Sequence, residues 1–307
     1  MVHSTALRYF DEVARTGSLA AASEKLHVAV SAISRQIAML EREIGADLFE
    51  RTARGMVLTR PGEVLAEHAR RVFLEASAVL AEISSSHAQA RGNVRIGCDE
   101  GFASLLPKIM AAFHREQPIA RFVVRSGSPE NIESWVEKGE IDLGLSCSTG
   151  HSGNVNVAFS ADSPVEVLCR YGHPLARKPS ITLDELLAHP LAVPEHDAAL
   201  RRLLDDHCAA AGKRFEPLLV TDCPAVIHQF TSLTSGVAVG NRLVMQELCA
   251  RGGFVVKRIE APQLAARSMQ VITMHGRRLP TMVHRFLETL RREMSALDSS
   301  VAASRAA

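Results

Sequence analysis

Residues 28–45, "VAVSAISRQIAMLEREIG", decide how the N-terminal part of this chain folds. One set of apolar residues recurs at helical spacing and forms a narrow stripe: Ile33, Ile37, Leu40 and Ile44. The opposite face is small or polar: Ser31, Ser34, Arg35, Ala38 and Arg42. Gly45 follows directly and is typical of a helix end. The segment predicts a helix with one buried side and one side that is free to contact a partner.

The polar face of this helix suits contact with DNA. Small residues at its start let the backbone approach a surface, and hydroxyl and guanidinium groups donate to base edges and phosphates. An ordinary amphipathic helix with a solvated polar face explains the segment equally well when it is taken alone. The neighbouring segments distinguish these two interpretations.

Two further helices are predicted before this segment. Leu7, Phe10 and Ala14 form an apolar stripe of a first helix. Gly17 interrupts that stripe, and Ser18 is a suitable cap for a second helix, "LAAASEKL". A short break then leads into the third helix. Two short helices joined by a tight turn predict a helix-turn-helix.

A basic hairpin is predicted after the third helix. Gly55 is typical of a hairpin turn, and Arg51, Arg54 and Arg60 surround it. Apolar anchors for the helical core flank this turn: Leu48, Phe49 and Leu58. The helices and the hairpin together predict a winged helix-turn-helix domain over residues 1–61.

A long helix is predicted over residues 62–88, within a linker and hinge segment that spans 62–90. Its apolar residues alternate four and three apart, as in a heptad seam: Leu65, Ala69, Val72, Ala76, Val79 and Ile83. Such a seam packs either on its own domain or on a second copy of the helix. We favour a dimer interface, because the helix joins two domains and is polar on its other faces.

The remainder of the chain, 91–307, alternates strands and helices and predicts an α/β domain with mostly parallel sheets. The predicted strands cover 93–98, 121–126, 141–147, 165–170, 190–194, 215–221, 236–240, 254–259 and 269–274. The predicted helices cover 103–116, 129–138, 197–211, 223–234, 242–250 and 281–297. The length suffices for two lobes, one at about 91–161 with 267–300 and the other at about 162–266. Ligands of such folds bind in the cleft beyond the strand ends, near helix N-termini.

Composition excludes several classes of protein. The 307 residues are 47% hydrophobic and carry a formal net charge of +1, so bulk charge predicts neither a nucleic-acid nor a membrane partner. No apolar run approaches the roughly 20 residues of a membrane span, and the N-terminus lacks the plan of a signal peptide. The six cysteines never form C-x-x-C, which indicates a reducing cytoplasm. Hydrolase, Walker, dinucleotide and zinc-protease motifs are absent, so we predict no catalytic residue, cofactor or metal.

The elements "GSLAAAS", "ISRQI", "LEREIGADLFER" and "LTRPGE" resemble those of the LysR-type transcriptional regulators in order and spacing. Downstream, "LLPKIMAAFHREQP", "KGEIDLGL" and "TSGVAVG" resemble the effector domain of the same family. The resemblance extends from about residue 4 to 295. It implies a winged helix-turn-helix, a dimerising linker helix and a two-lobed effector domain like a type-2 periplasmic binding protein.

The resemblance also implies the partners of the protein. These are double-stranded DNA, a small-molecule co-inducer and further copies of the chain, commonly in a tetramer, with RNA polymerase left open. By motif position, the DNA-contacting residues are Val30, Ser31, Ala32, Ser34 and Arg35 in the third helix, with Arg51 and Arg54 in the wing. Many members have Gln-Pro where Val30-Ser31 stands, so the family's base preferences do not carry over. Many members also have Leu-Pro where Gly240-Asn241 stands.

The loop "CDEGF", 98–102, is the most informative part of the predicted cleft, because it presents Asp99 and Glu100 where the family often has Ser or Thr. The same loop adds Gly101 and Phe102 to the predicted effector site, and a strand end adds Cys147. Helix starts elsewhere complete the site with Arg125, Ser126, Ser128, His196, Asp197 and Asp222. The acids are alternatively helix caps that face solvent. Cys98 and Cys147 end strands at the cleft. They are either a redox-sensing pair or two small buried residues.

An adjacent acidic pair in a cleft raises a specific hypothesis about the effector. Two carboxylates repel each other unless a cation is present, and a bound ammonium would relieve that repulsion. Arg125 is placed to pair with a carboxylate on the same ligand. We therefore expect a cationic or zwitterionic amine, with the family's more common carboxylates as the alternative.

Two classes of function remain open at this stage. A ligand-responsive transcription regulator accounts for the whole chain. A cytoplasmic small-molecule binding protein of the same two-lobed fold accounts for the second part alone, and the N-terminal 60 residues and the lack of a signal peptide argue against it.

Overall fold

The computed structural model describes residues 4–53, 55–85, 92–99, 102, 105–148, 155–196, 198–241, 245, 249, 252–261, 264 and 267–306, and at 78, 81–85 and 297–306 it describes the backbone alone. The chain divides into two compact units, residues 1–90 with 276–280 and residues 91–275 with 281–307. The first unit is helical with one small hairpin, and the second contains two β-sheets.

Three helices open the first unit: α1 (Thr5–Thr16), α2 (Leu19–Leu26) and α3 (Val30–Ile44). Local signals set their ends. The hydroxyl of Ser18 caps α2 by accepting from the N–H of Ala21 at 3.4 Å. Gly17 and Gly45 end α1 and α3 in the left-handed conformation, with φ of 65° and 77°. The predicted helix boundaries are confirmed.

The apolar stripe of α3 packs into the core of this unit, with Ile33 fully buried and Ile37 nearly so. Phe10 and Leu48 lie in the same core, and Leu40 packs at its edge. The prediction that Ile44 belongs to the buried stripe is wrong, because its side chain is 45% exposed. Ile44 lies one turn beyond the part of α3 that the core covers.

The hairpin consists of β1 (Phe49–Thr52) and β2 (Gly55–Leu58), which pair antiparallel. The N–H of Met56 donates to the carbonyl of Gly17 at 2.8 Å and ties the hairpin to the end of α1. Gly55 has φ of 122°, and a Cβ there would lie 2.4 Å from the Gly17 carbonyl oxygen. Only glycine fits this turn, as the sequence predicted.

The long helix α4 runs from Arg60 to Ser85. Along its predicted seam, Ala69 and Ala76 are buried within the single chain, whereas Val79 is 51% exposed. The side chain of Ile83 lies outside the described residues. The first part of the seam is thus covered within the single chain, and an exposed apolar part remains near its C-terminal end.

The first sheet of the second unit has the strand order β4-β3-β5-β13-β6. Its strands are β3 (Gly92–Cys98), β4 (Ala120–Ser126), β5 (Leu143–Ser148), β6 (Val155–Asp162) and β13 (Ser268–Met274). Its helices are α5 (Leu106–Glu116), α6 (Pro129–Glu137) and α10 (Thr281–Ala306). Strands β3, β4 and β5 run parallel, so their carboxyl ends meet at one edge, and α6 packs on β5.

The second sheet has the order β10-β9-β11-β7-β12-β8. Its strands are β7 (Val165–Arg170), β8 (Ser180–Ile181), β9 (Leu191–Val193), β10 (Leu219–Val220), β11 (Val237–Asn241) and β12 (Phe254–Ile259). The helices α7 (Leu183–Leu187), α8 (Ala199–Ala210) and α9 (Pro224–Leu233) and a 3-10 turn at Pro174–Arg177 accompany it. The chain crosses between the sheets at Ser163 and Arg267, and the N–H of Ser163 donates to the carbonyl of Arg267 at 2.8 Å.

Several predicted strands need correction. The prediction of mostly parallel sheets needs refinement, because both sheets are mixed: among their described strands five pairings are parallel and four, where the chain returns from a crossing, are antiparallel. Strand β6 was not predicted, and the strand predicted over 215–221 shortens to Leu219–Val220. The predicted helix over 242–250 falls largely outside the described residues. Among the described helices, none is both long and apolar enough to cross a membrane.

Candidate functional sites

The first candidate site is the exposed side of α3. Val30 is 42% exposed, Ser31 and Arg35 are exposed, and Ala32 and Ser34 are partly covered. Ser31, Ala32 and Arg35 lie on the side of the helix that faces away from the buried Ile33 and Ile37. Ser34 lies on the flank of that side, and Val30 is the first residue of the helix. The surface is therefore small, hydroxyl-bearing and basic on a helix that its own core holds fixed.

The turn before α3 is held by backbone and side-chain contacts. His27 adopts the left-handed conformation with φ of 55°, and the hydroxyl of Ser23 donates to the carbonyl of Val28 at 2.5 Å. Ala29 is the N-cap of α3 and provides no side-chain hydrogen bond. The start of α3 thus lacks the side-chain cap that Ser18 gives to α2.

The wing residues are only partly described. Arg51 on β1 is exposed, and Arg54 lies outside the described residues. Arg60, which the sequence placed beside the wing, begins α4 and pairs with Glu63 at 3.0 Å. Arg51 is therefore the described wing residue with an exposed guanidinium.

The second candidate site is a cavity of about 370 Å³ between the two sheets. Both sheets and the helices that follow them contribute to its wall: Asp99, Ser126, Gly127, Ser128, Pro129, Cys147, Pro194, Glu195, Ala198, Ala199, Leu200, Thr221, Asp222, Pro224, Ile227, His228, Val239, Gly240, Asn241, Met245 and Arg267. This volume accommodates a small metabolite.

Three helices begin at the cavity. Residues that lead into α6, α8 and α9 belong to its wall, among them Ser128, Ala198 and Asp222. Ser128 caps α6 by accepting from the N–H of Asn131 at 3.3 Å. The positive ends of three helix dipoles therefore converge on the cavity, which favours a bound anionic group.

An acid and a base flank Cys147 on the wall of the cavity. The carboxylate of Asp99 accepts from the Cys147 N–H at 3.1 Å, and the guanidinium of Arg267 donates to the Cys147 carbonyl at 3.4 Å. Both charges are thereby fixed at the end of β5. The cavity wall therefore contains both an acidic and a basic side chain beside the end of β5.

The side chain of Cys147 belongs to a polar cluster at the crossing. Its thiol lies 3.5 Å from the Ser163 hydroxyl and 3.5 Å from the Asn241 amide, and that amide also donates to Ser163. Burial and the charge of Asp99 raise the pKa of the Cys147 thiol. Burial likewise raises the pKa of Cys98 to about 11. Both thiols are thus held neutral, which favours two buried cysteines over a redox pair.

The structure brings together part of the predicted effector site. Five predicted residues line the cavity: Asp99, Ser126, Ser128, Cys147 and Asp222. Glu100, Gly101 and Asp197 lie outside the described residues. The remaining predicted residues, Phe102, Arg125 and His196, are not part of the cavity wall.

Each of these three corrections has a physical reason. Phe102 is fully buried in the core. Arg125 precedes Ser126 on β4, and because alternate side chains leave opposite faces, it points away from the cavity. Its guanidinium lies 3.6 Å from the centre of the Trp135 ring and pairs with Glu140 at 3.0 Å. His196 points to solvent beside Asp205, at 3.4 Å.

The sequence did not identify several wall residues. Arg267 lies at a crossing between the sheets, directly before β13. The only signal for it in the sequence was its position just before a predicted strand. His228 lies one turn after Pro224 at the start of α9, a helical spacing that pointed to it. Burial lowers the pKa of His228. Among the described residues, no group of histidine, cysteine and carboxylate side chains has the arrangement of a metal site.

Family models match both parts of the chain. The model described as "Bacterial regulatory helix-turn-helix protein, lysR family" matches residues 4–63, and the "LysR substrate binding domain" model matches 87–295. The transcriptional dual regulator GltC of Bacillus subtilis is 32% identical over 95% of this chain and 97% of its own. The regulator SsuR of Burkholderia cenocepacia is 28% identical over 76% and 77%.

Solved structures share the same overall fold. A full-length OxyR variant from Pseudomonas aeruginosa matches with a TM-score of 0.62 at 21% identity, over 95% of both chains. Full-length CbnR in complex with its target DNA matches with a TM-score of 0.51 at 22% identity, over 94% of this chain and 98% of that one. Both named relatives are transcriptional regulators. The chain therefore belongs to the LysR family and is a DNA-binding transcriptional regulator with an effector-binding domain.

Proposed function

We propose that α3 is the recognition helix and that residues 1–61 form the DNA-binding domain. Its contacts with the major groove come from Val30, Ser31, Ala32, Ser34 and Arg35, while Arg51 and Arg54 approach the phosphates or the minor groove. The supporting observation is an exposed Ser31–Arg35 face directly opposite the buried Ile33 and Ile37. Val30 provides an apolar contact suited to a thymine methyl group.

Replacing Arg35 by alanine tests this assignment. The change should weaken binding to the specific site by about 1–3 kcal/mol, because a base contact is lost. Arg51→Ala should weaken binding to all sequences alike and reduce the salt dependence. Arg8→Ala, on the exposed side of α1, is the control and should bind normally. The measurement is a gel-shift titration on the protein's own upstream region at two salt concentrations, and unchanged affinity of Arg35→Ala contradicts the proposal.

We further propose that residues 91–307 bind a small zwitterion, such as an amino acid or a betaine. Its carboxylate would lie between Arg267 and the N-terminus of α6, and its ammonium would face Asp222 and Glu195 beside the starts of α9 and α8. Arg267 takes the role that the sequence gave to Arg125. The supporting observation is that the same wall contains one guanidinium, held by the Cys147 carbonyl, and several acidic side chains.

A simple carboxylate is the alternative ligand, favoured by the three helix N-termini alone. Calorimetry on the full-length protein separates the two, using amino acids, betaines, plain carboxylates and plain amines of matched size. Arg267→Gln should weaken binding about 10-fold or more, because a charge-assisted hydrogen bond is lost. Arg125→Gln is the matched control and should leave affinity unchanged. Binding of plain carboxylates with no preference for zwitterions contradicts the proposed ligand.

The fluorescence of Trp135 provides an independent measurement of ligand binding at the same site. Trp135 is the single tryptophan of the chain, and it packs beneath Gly127 in the cavity wall. A ligand that contacts this loop should change the tryptophan emission. A binding curve by fluorescence that agrees with calorimetry supports binding at the cavity, and binding without any change in emission argues against it.

We also propose self-association through α4 and, between dimers, through the edges of the two sheets. Val79 is 51% exposed in the C-terminal part of α4 and is available to a second copy. The edge strands β4 and β10 expose Val123 and Val220, so a second copy can cover both. These surfaces suit a dimer and a tetramer respectively.

Sedimentation velocity tests the assembly. Val79→Asp should shift the protein toward smaller species, because the charge would be buried without a partner. The side chain is half exposed in the single chain, so folding should be retained, which circular dichroism checks. A monomeric wild-type protein at micromolar concentration contradicts the proposal.

The ligand acts on transcription only if it favours one arrangement of the assembly over another. We therefore expect ligand binding to change the affinity for DNA or its bending, in the cytoplasm and with RNA polymerase as a further partner. A protein that binds ligand but retards no DNA would support the alternative, a small-molecule binding protein of the same two-lobed fold.

A further inference from the structure

An ion pair joins the two sides of the cavity outside its wall. Glu130 lies in the first turn of α6, which packs on the first sheet, and Arg202 lies in the first turn of α8, beside the second sheet. The Arg202 Nη2 atom is 2.7 Å from the Glu130 Oε1 atom. Neither side chain lines the cavity, although the residues just before both helices do. The pair therefore connects the two helix ends between which the ligand site lies.

The surroundings of the pair favour this contact. Burial alone would raise the pKa of Glu130, but its own backbone N–H, Ser128 and Arg202 together hold that pKa below its usual value. Arg201, the neighbouring guanidinium, points elsewhere and pairs with Asp205 at 2.9 Å. Glu130 also sits where a negative charge is favoured by the dipole of α6.

The two sheets are linked differently at the crossing. There the chain itself passes between them, and the cluster of Cys147, Ser163 and Asn241 joins β5 to β11. An opening of the cavity about this crossing would separate α6 from α8. The ion pair is the described charge–charge contact that such an opening has to break.

We propose that Glu130 and Arg202 form a latch that holds the two sides of the cavity together and sets how readily a ligand enters and leaves. They are positioning residues, because they act through the placement of α6 and α8. The inference rests on the proposed ligand site for its consequence, but the latch itself operates without a ligand. Because the side chains are about half exposed, the latch is weak and is screened by salt.

Cys147 reports on the opening. Its side chain is 3% exposed and lies in the cavity wall beside the crossing, so a reagent reaches it when α6 and α8 separate and the cavity opens to solvent. The experiment measures the rate of Cys147 alkylation by N-ethylmaleimide in the full-length protein without ligand, with each cysteine resolved by peptide mass spectrometry. Cys169, fully buried in the core of the second sheet, is the internal control for global unfolding.

Both Glu130→Gln and Arg202→Gln should raise the alkylation rate of Cys147 about two- to five-fold, with Cys169 unchanged. The double variant should react no faster than either single variant, because one contact has been removed in all three. Arg292→Gln is the matched control, since it breaks an ion pair of similar exposure within one lobe, Arg292–Glu116 at 3.5 Å. It should leave the rate unchanged.

Other results overturn the latch. Opposite changes in the two single variants would mean that they act only through the electrostatics of the thiol. Additive effects in the double variant, or equal effects in Arg292→Gln, would show that the pair is not the contact that restrains opening. The proposed ligand fails separately, if no zwitterion protects Cys147 of the wild-type protein while the variants still behave as expected.

Discussion

The two candidate sites are built in opposite ways. The α3 surface is one continuous stretch, and the residues that hold it, Ile33 and Ile37, come from the same helix. The cavity is assembled from distant segments: Asp99 meets Cys147 across 48 positions of the chain, and Arg267 meets it across 120. A continuous site depends on the stability of one helix and its core. An assembled site depends on how separate strands and helices are positioned.

The largest expected effect tests the dependence of the α3 surface on its core. Ile33→Ala should destabilise the first unit by about 2–5 kcal/mol, because a fully buried side chain leaves a cavity. Ile44→Ala, on the same helix but 45% exposed, should change stability by less than about 0.5 kcal/mol. Chemical denaturation monitored by circular dichroism compares them, and similar losses would contradict the exposure of Ile44.

The second prediction disturbs the assembled site without changing a charge. A Cβ at Gly127 would lie 2.5 Å from the Trp135 ring, so Gly127→Ala should cost about 1–3 kcal/mol through overpacking and move the loop before α6. Ligand affinity should fall and the tryptophan emission should shift. DNA binding through the α3 surface should be retained. Unchanged emission would show that the loop absorbs the methyl group.

The third prediction strengthens the continuous site. Ala29→Ser should stabilise α3 by about 1 kcal/mol, because the hydroxyl can cap a helix that has no side-chain cap. Ser18→Ala is the reverse control and should cost a similar amount, because an existing cap on α2 is lost. Thermal unfolding of the three proteins gives the answer, and a loss of stability in Ala29→Ser would contradict it.

The smallest expected effect is a pH dependence of the stability of the second unit. Burial lowers the pKa of His173, against an opposing hydrogen bond with the Ser235 carbonyl, while His189 and Arg170 lower it further. The neutral ring is therefore favoured in the fold. The contribution of this ring to the free energy of unfolding is fully present above its pKa in the unfolded chain, about 6.5. It is lost as the pH falls through the lower pKa of the folded state.

Between pH 7.5 and 5.5 the second unit should lose stability through this group. His173→Gln should reduce that dependence, whereas His114→Gln, on an exposed part of α5, should leave it intact. Differential scanning calorimetry at both pH values measures the change. A pH dependence that persists fully in His173→Gln would assign it to other groups.

Much of the first unit was predictable because its signals are local. Ser18, Gly17 and Gly45 set helix ends through contacts with their own neighbours, and the spacing of Ile33 and Ile37 alone identified the buried side. The exposure of Ile44 was not predictable in this way. How far along α3 the core extends depends on where α1 and α2 end in space.

The cavity shows the reverse. The sequence by itself determined the family, the order of most elements and the presence of Asp99, Ser126, Ser128, Cys147 and Asp222 at strand and helix ends. Only the tertiary structure decided that Arg267 enters the wall and that Arg125 turns toward Trp135. The physical reason is that helix caps and helical periodicity depend on residues a few positions apart. Which face of a sheet a strand's side chains point to, and where the two crossings between the sheets come together, depend on pairing between strands far apart in the chain.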